Sequence, residues 1–139
     1  MYIGIDASRY FLDQGTGVEC YSRFIIDHLL KEISKKSGIE TVLYLQNIKD
    51  LPPNSNVKIL PGARFWTLRV LSREMKKNPP DVLFVPSHVL PLSLPKKSVV
   101  TIHDTAFKHL RKSYSFKEYH YLDFSAKAAV KKATKIIVP

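Results

Sequence analysis

The chain has 139 residues and a net charge of +10, from 22 basic and 12 acidic side chains. Its length predicts one domain, and its 45% hydrophobic and 24% charged composition excludes disorder along the whole chain. The single cysteine, Cys20, excludes a disulfide scaffold and a cysteine-based zinc site. No apolar run reaches the roughly 20 residues of a membrane-spanning helix. We expect no signal peptide, because Asp6 and Arg9 interrupt the first apolar run, and we expect a cytoplasmic setting.

The basic residues are scattered along the chain in pairs rather than gathered in one block. Besides solubility, such a charge indicates an anionic partner, which means nucleic acid, a phosphorylated ligand or an acidic membrane face. Nucleic-acid binding is the least favoured of the three, because it typically uses a clustered basic stripe.

Strand and helix patterns alternate through the first half of the chain. Residues 2–5 predict a buried strand and residues 6–14 a loop, and a helical apolar stripe follows from Val18 to a stop near Gly38. Further strands are predicted at residues 41–45 and 57–60. Residues 64–77 combine apolar and basic side chains, which indicates either a helix on an anionic membrane surface or, as we favour, a helix packed on a sheet with a solvated basic face.

The second half repeats the alternation. Strands are predicted at residues 81–85, 99–102 and 136–138, with a proline-rich loop at 86–95. A helix is predicted from Ser115, with a buried face formed by Tyr119, Leu122, Ala126, Ala129 and Ala133. The pattern predicts the α/β class, with a Rossmann-like parallel sheet covered by helices on both faces. Ligands of such sheets bind at the carboxyl ends of the strands.

Two segments are expected at those carboxyl ends, and the first is the glycine-containing start of the first helix. Gly15, Thr16 and Gly17 let a ligand approach the backbone, and the free N–H groups of a first helical turn attract phosphate. The plainer interpretation is a turn capped by Thr16. The segment is neither a GxGxxG motif, because Cys20 takes the third glycine position, nor a P-loop.

The second segment is His103 with Asp104, directly after a predicted strand. A neutral imidazole there can donate or accept a proton, and the aspartate either orients it or caps the next segment. The plainer interpretation is a histidine bonded to the backbone at a strand end. His88, in the proline-rich loop, is interpreted as solvated, and Cys20 as a core residue. No histidine pair has the spacing of a helical metal site, so we expect no metal.

Together these segments resemble the N-terminal domain of glycosyltransferase family 4, retaining enzymes with the GT-B fold. The segments that carry the resemblance span nearly the whole chain: IDASR (residues 5–9), GTGVECY (15–21), DVLFVPS (81–87), VVTIHD (99–104) and KKATKIIV (131–138). The resemblance implies that residues 1–139 are the acceptor-side half of a two-domain enzyme. The C-terminal domain, which would hold most of the nucleotide-sugar donor, is not in this sequence, so we expect this half alone to be inactive.

The resemblance also implies roles for particular residues. Gly15, Thr16 and Gly17 would approach the donor diphosphate, and catalysis would involve His103 beside the transferred sugar and Asp104 in support of its loop. Arg9, Ser87 and His88 would lie on the acceptor side, and no cofactor would be needed apart from the nucleotide-sugar substrate. The acceptor would be a sugar, a lipid-linked group or a protein, and the second domain would be supplied in cis or in trans. From the net charge, and not from the resemblance, we also expect peripheral contact at the inner face of the membrane. The alternative is a stand-alone module that binds a nucleotide, a glycan or a partner without catalysis.

Overall fold

The computed structural model describes residues 1–10, 17–47, 55–62 and 64–139. Within them lies one six-stranded sheet of order β3-β2-β1-β4-β5-β6, in which every pairing is parallel. Its strands are β1 (Tyr2–Asp6), β2 (Glu40–Leu45), β3 (Val57–Ile59), β4 (Val82–Val85), β5 (Lys97–Thr101) and β6 (Lys135–Ile137). Short β-branched and apolar runs suit strands that are buried in a parallel sheet, and the predicted α/β class is confirmed.

Helices lie on both faces of the sheet, as predicted. They are α1 (Gly17–Ile33), α2 (Ser72–Lys77), α3 (Ala106–His109) and α4 (Phe116–Lys132). On one face Ile26 of α1 packs into a cluster with Ile5 and Leu43. On the other face Met75 of α2 and Ala129 of α4 belong to a second cluster, which also holds Val42, Leu83 and Val100. The sheet therefore separates two apolar layers, each closed by a helix.

The segment with mixed apolar and basic residues packs on the sheet, as we favoured. A π-helical segment, Thr67–Leu71, leads directly into α2. Trp66, Leu71 and Met75 are buried, whereas Arg64, Arg69 and Arg73 are exposed. The apolar side chains thus lie against the core and the arginines face water. In the parts of the chain that the structure describes, no helix has the length and apolarity to cross a membrane.

Several element boundaries differ from the prediction. Helix α1 ends at Ile33, and the chain turns before Gly38, whose φ of +76° suits glycine. The predicted start of the last helix is confirmed, because Ser115 caps α4 in a capping box with Glu118. Of the five residues predicted to form the buried face of α4, only Ala129 is fully buried. The short helix α3 was not predicted. Strand β6 is exposed because it lies at the sheet edge.

Candidate functional site

Helix α1 begins at the carboxyl edge of the sheet. Gly17 is its first residue and is exposed, and among the described residues no heavy atom of a neighbour lies within 4 Å of a Cβ built on it. The first-turn N–H groups of a helix have no partner within the helix. Packing therefore does not require glycine here, and the backbone is open to a ligand. Gly15 and Thr16 lie outside the described residues.

His103 follows β5 and is held from two sides. Its Nε2 lies 3.0 Å from the carbonyl oxygen of Pro86, which follows β4. Because a carbonyl only accepts, Nε2 donates, and Nδ1 of the neutral ring keeps its lone pair. The ring of Tyr21 from α1 meets the imidazole edge-on at 4.8 Å between centroids, and its hydroxyl lies 3.3 Å from Oγ1 of Thr101. The backbone bond of the plainer interpretation is thus present, and the ring also faces a cavity.

Asp104 shapes the next segment rather than contacting His103 through a hydrogen bond. Its Oδ1 accepts a hydrogen bond of 2.9 Å from the backbone N–H of Ala106, where α3 begins. The side chain is exposed. Of the two roles considered for Asp104, capping is the one observed.

A cavity of about 180 Å³ opens at this edge of the sheet. Helices α1, α3 and α4 and the loops after β4 and β5 line it with Val18, His88, Ile102, His103, Asp104, Phe107, Tyr114, Leu122 and Ala126. Complete ligand sites usually enclose about 300–1,000 Å³. This cavity therefore accommodates one part of a ligand, with the remainder left outside it.

The loop after β4 contributes Ser87 and His88. Ser87 is buried, and His88 is half-buried in the cavity wall, so the interpretation of His88 as a solvated loop residue is wrong. Burial lowers the pKa of His88, and the nearby His103 and Arg9 lower it further, against a smaller opposing effect of Asp104. A neutral imidazole at pH 7 can exchange a proton with a ligand or donate a hydrogen bond to it.

Arg9 follows β1 and does not line the cavity that contains His103. Its Nη1 is 3.4 Å from Oε1 of Glu19 in the first turn of α1, and its side chain is 57% exposed. It lines a second cavity, of about 470 Å³, that we call the arginine cavity; the other residues lining it are Ser8, Gln46, Arg64, Phe65, Trp66, Thr67, Leu68 and Tyr121. Sequence reasoning missed Tyr121 and Arg64 as site residues, because only the tertiary fold brings residues so distant in sequence together.

The remaining candidates take no part in either cavity. Cys20 is exposed on α1, so its interpretation as a core residue is wrong: it lies on the solvent side of the helical stripe. His28, His109 and His120 are also exposed. In the described ranges no group of three or more His, Cys, Asp or Glu side chains is arranged to hold a metal ion.

Comparison with known proteins gives a structural likeness. No protein-family model and no curated protein matches the chain. Among solved structures, the chain is similar to an alpha-glucosyltransferase in complex with UDP and a 13-mer DNA containing an HMU base. The identity is 20% and the TM-score 0.44, and the likeness covers 99% of this chain and 37% of the other. Membership of family 4 and a retaining mechanism stay predictions.

Proposed function

We propose that this chain is the acceptor-side half of a glycosyltransferase, which transfers a sugar from a nucleotide-sugar donor to an acceptor with retention of configuration. The observation that carries the proposal is the convergence of the open α1 start, His103 and His88 at the carboxyl edge of a parallel sheet. That edge is where ligands of such sheets bind. The segments that resemble family 4 supply these same residues.

In this proposal the backbone at Gly15, Thr16 and Gly17 receives the diphosphate of the donor. Breaking the bond between sugar and phosphate leaves negative charge on the diphosphate. N–H groups at a helix start point at that charge before it forms and stabilise it without reorganisation. The space that the described residues leave around the Gly17 α-carbon supports a close approach of this kind.

His103 would lie beside the transferred sugar, and Arg9, Ser87 and His88 beside the acceptor. The contacts of His103 with Pro86 and Tyr21 fix its ring, which supports a positioning role toward the sugar. Asp104 would act through the loop, because it caps the following segment. The proposal requires neither a metal nor a cofactor.

The size of the cavity supports a site completed by a second domain. At about 180 Å³ it is too small to enclose a nucleotide sugar. A donor-binding domain, in cis or in trans, would close over it and exclude the water that competes as acceptor. We propose that this half alone is inactive, and that it works in the cytoplasm against the inner face of the membrane on a sugar, lipid-linked or protein acceptor.

A binding module without catalysis is the second candidate. It is favoured by one observation, the bond from His103 Nε2 to the Pro86 carbonyl, because that bond alone gives the histidine a structural role. Such a module would bind a nucleotide or glycan and would not transfer sugar.

The coding sequence beyond codon 139 tests the proposal first. A frame that continues into a second α/β domain, which would hold the nucleotide-sugar donor, supports it, as does a co-purifying subunit that carries such a domain. A stop codon without any such subunit contradicts it and leaves the binding module.

A further inference from the structure

The arginine cavity lies at the same edge of the sheet as His103 and shares only helix α4 with the cavity that His103 lines, among the described residues. Arg9 follows β1, Gln46 follows β2, and Arg64 and Phe65 precede the π-helical segment that leads into α2. Tyr121 of α4 completes it. Its volume of about 470 Å³ falls within the range of sites that hold a whole small ligand.

The charge of this cavity is positive. Two guanidinium groups, of Arg9 and Arg64, line it, and none of the lining residues that the structure describes carries a carboxylate. Arg64 forms no ion pair with any described residue, and the Arg9–Glu19 contact of 3.4 Å is long for a charge-assisted hydrogen bond. The buried Asp6 carboxylate lies behind the wall, where it accepts hydrogen bonds from Ser8 N–H and the Thr67 hydroxyl. Among the described residues the lining therefore offers cationic donors and no carboxylate, while Arg9 is also attracted by Glu19 and by the buried Asp6.

An aromatic ring is held at the mouth of the cavity. Phe65 has a φ of +62°, a conformation that non-glycine residues rarely adopt, and it is nevertheless 42% exposed. The guanidinium carbon of Arg64 lies 5.0 Å from the centre of its ring, and the Tyr121 ring lies 6.4 Å away. Such a conformation persists only where the surroundings impose it, and it often marks a functional site. Here it places an aromatic ring beside Arg64 and beside Arg69, whose guanidinium carbon lies 5.9 Å from the ring centre.

We propose that the arginine cavity binds the acceptor, and that the acceptor carries a phosphate or carboxylate on a sugar ring that lies against Phe65. Arginine recognises both oxyanions through paired N–H donors, and the apolar face of a sugar ring packs on an aromatic ring. The role as acceptor rests on the proposed function. The anion binding does not, because it follows from the cavity alone.

Trp66 gives this cavity its own reporter. It is the one tryptophan of the chain, it lines the cavity, and its Nε1 donates to the carbonyl oxygen of Leu60 over 2.7 Å. Its fluorescence is followed while the 139-residue chain is titrated with glucose 6-phosphate, glucuronate or glucose. We expect both anions to bind and glucose not to bind at the same concentrations, and we expect added salt to weaken the binding of the anions.

Substitution of one arginine then tests the contact. Arg64→Gln should weaken glucose 6-phosphate binding about tenfold, because one charge-assisted donor pair is lost. The matched control is Arg73→Gln, since Arg73 is an exposed arginine of α2 outside the cavity. Amide chemical shifts of Gln46 and Thr67 give a second readout. Equal affinity of the two variants, or no response to either anion in both readouts, would overturn the proposal.

Two further arms identify the source of the phosphate and separate this inference from the proposed function. Sedimentation with phosphatidic acid vesicles, lost in Arg64→Gln, would indicate a lipid headgroup, whereas binding of glucose 6-phosphate alone indicates a free sugar phosphate. If anions bind but the longer polypeptide transfers no sugar, the proposed function fails and the anion site stands. If the longer polypeptide transfers sugar with an acceptor KM unchanged by Arg64→Gln, the inference fails and the function stands.

Discussion

Replacement of Gly4 by alanine tests how tightly the centre of the sheet is packed. Gly4 lies in β1 between Val42 of β2 and Leu83 of β4. A Cβ there would lie 2.7 Å from Cε2 of Tyr44 and 2.9 Å from Cγ of Pro80. The Tyr44 ring is only 1% exposed and cannot swing into water. Overpacking of this kind typically costs about 1–3 kcal/mol, against a gain of about 0.5–1 kcal/mol from replacing glycine within a strand.

The expected result is a loss of about 1–2 kcal/mol in the free energy of unfolding. With a urea dependence of about 2 kcal/mol per molar, the midpoint should fall by about 0.5–1 M. Trp66 fluorescence reports the transition, since this residue is buried in the core cluster. The control is Gly17→Ala, where a Cβ meets no atom of the described residues within 4 Å and the midpoint should stay or rise slightly. A Gly4→Ala midpoint equal to that of the wild type would refute the packing argument.

Three further predictions concern stability. Burial lowers the pKa of His88, so the unfolded chain binds a proton that the folded chain rejects, and stability should fall as pH drops below about 6.5. In urea titrations His88→Gln should not show this fall in stability at low pH. A pH dependence of stability equal to that of the wild type would contradict the assignment to His88. Burial raises the pKa of Asp6, so the folded state becomes less stable as pH rises and this carboxyl group ionises. Asp6→Asn should therefore have a higher urea midpoint than the wild type at pH 7, and this difference should fade toward about pH 4. A gain independent of pH would argue against this. Ser115→Ala removes the cap of α4 and should cost about 1 kcal/mol in thermal or urea unfolding, whereas no loss would show that the cap is dispensable.

The alternation of apolar runs was enough to predict the parallel sheet and the start of α4. A run such as residues 82–85 is apolar on every side chain because both faces of its strand are buried, and the residue Ser115 is a strong helix cap. Strand β6 has a similar composition yet is exposed, since only the strand order shows that it lies at the edge. The apolar pattern of a segment predicts that it forms a strand, but it does not predict which strands lie beside it in the sheet.

The candidate site was predictable in part for the same reason. Position after a strand was enough to indicate His103, because all strand ends of a parallel sheet meet at one edge. The half-buried state of His88 and the arrangement of Arg64, Phe65 and Tyr121 depend on how helices pack across that edge. The contact between Phe65 and Tyr121 joins residues more than 50 positions apart, which no local pattern encodes.

Sugar transfer by the longer polypeptide, or by this chain with its donor-binding partner, tests the central proposal most directly. Labelled nucleotide sugars are offered to the wild type, to His103→Ala and to His28→Ala, a matched control whose exposed histidine also bonds a backbone carbonyl, that of Phe24 at 2.8 Å. We expect a product with retained anomeric configuration, a loss of about 10²-fold or more in the transfer rate of His103→Ala, and no change in His28→Ala. Transfer that is equally fast in both variants, or absent with every donor, would contradict it.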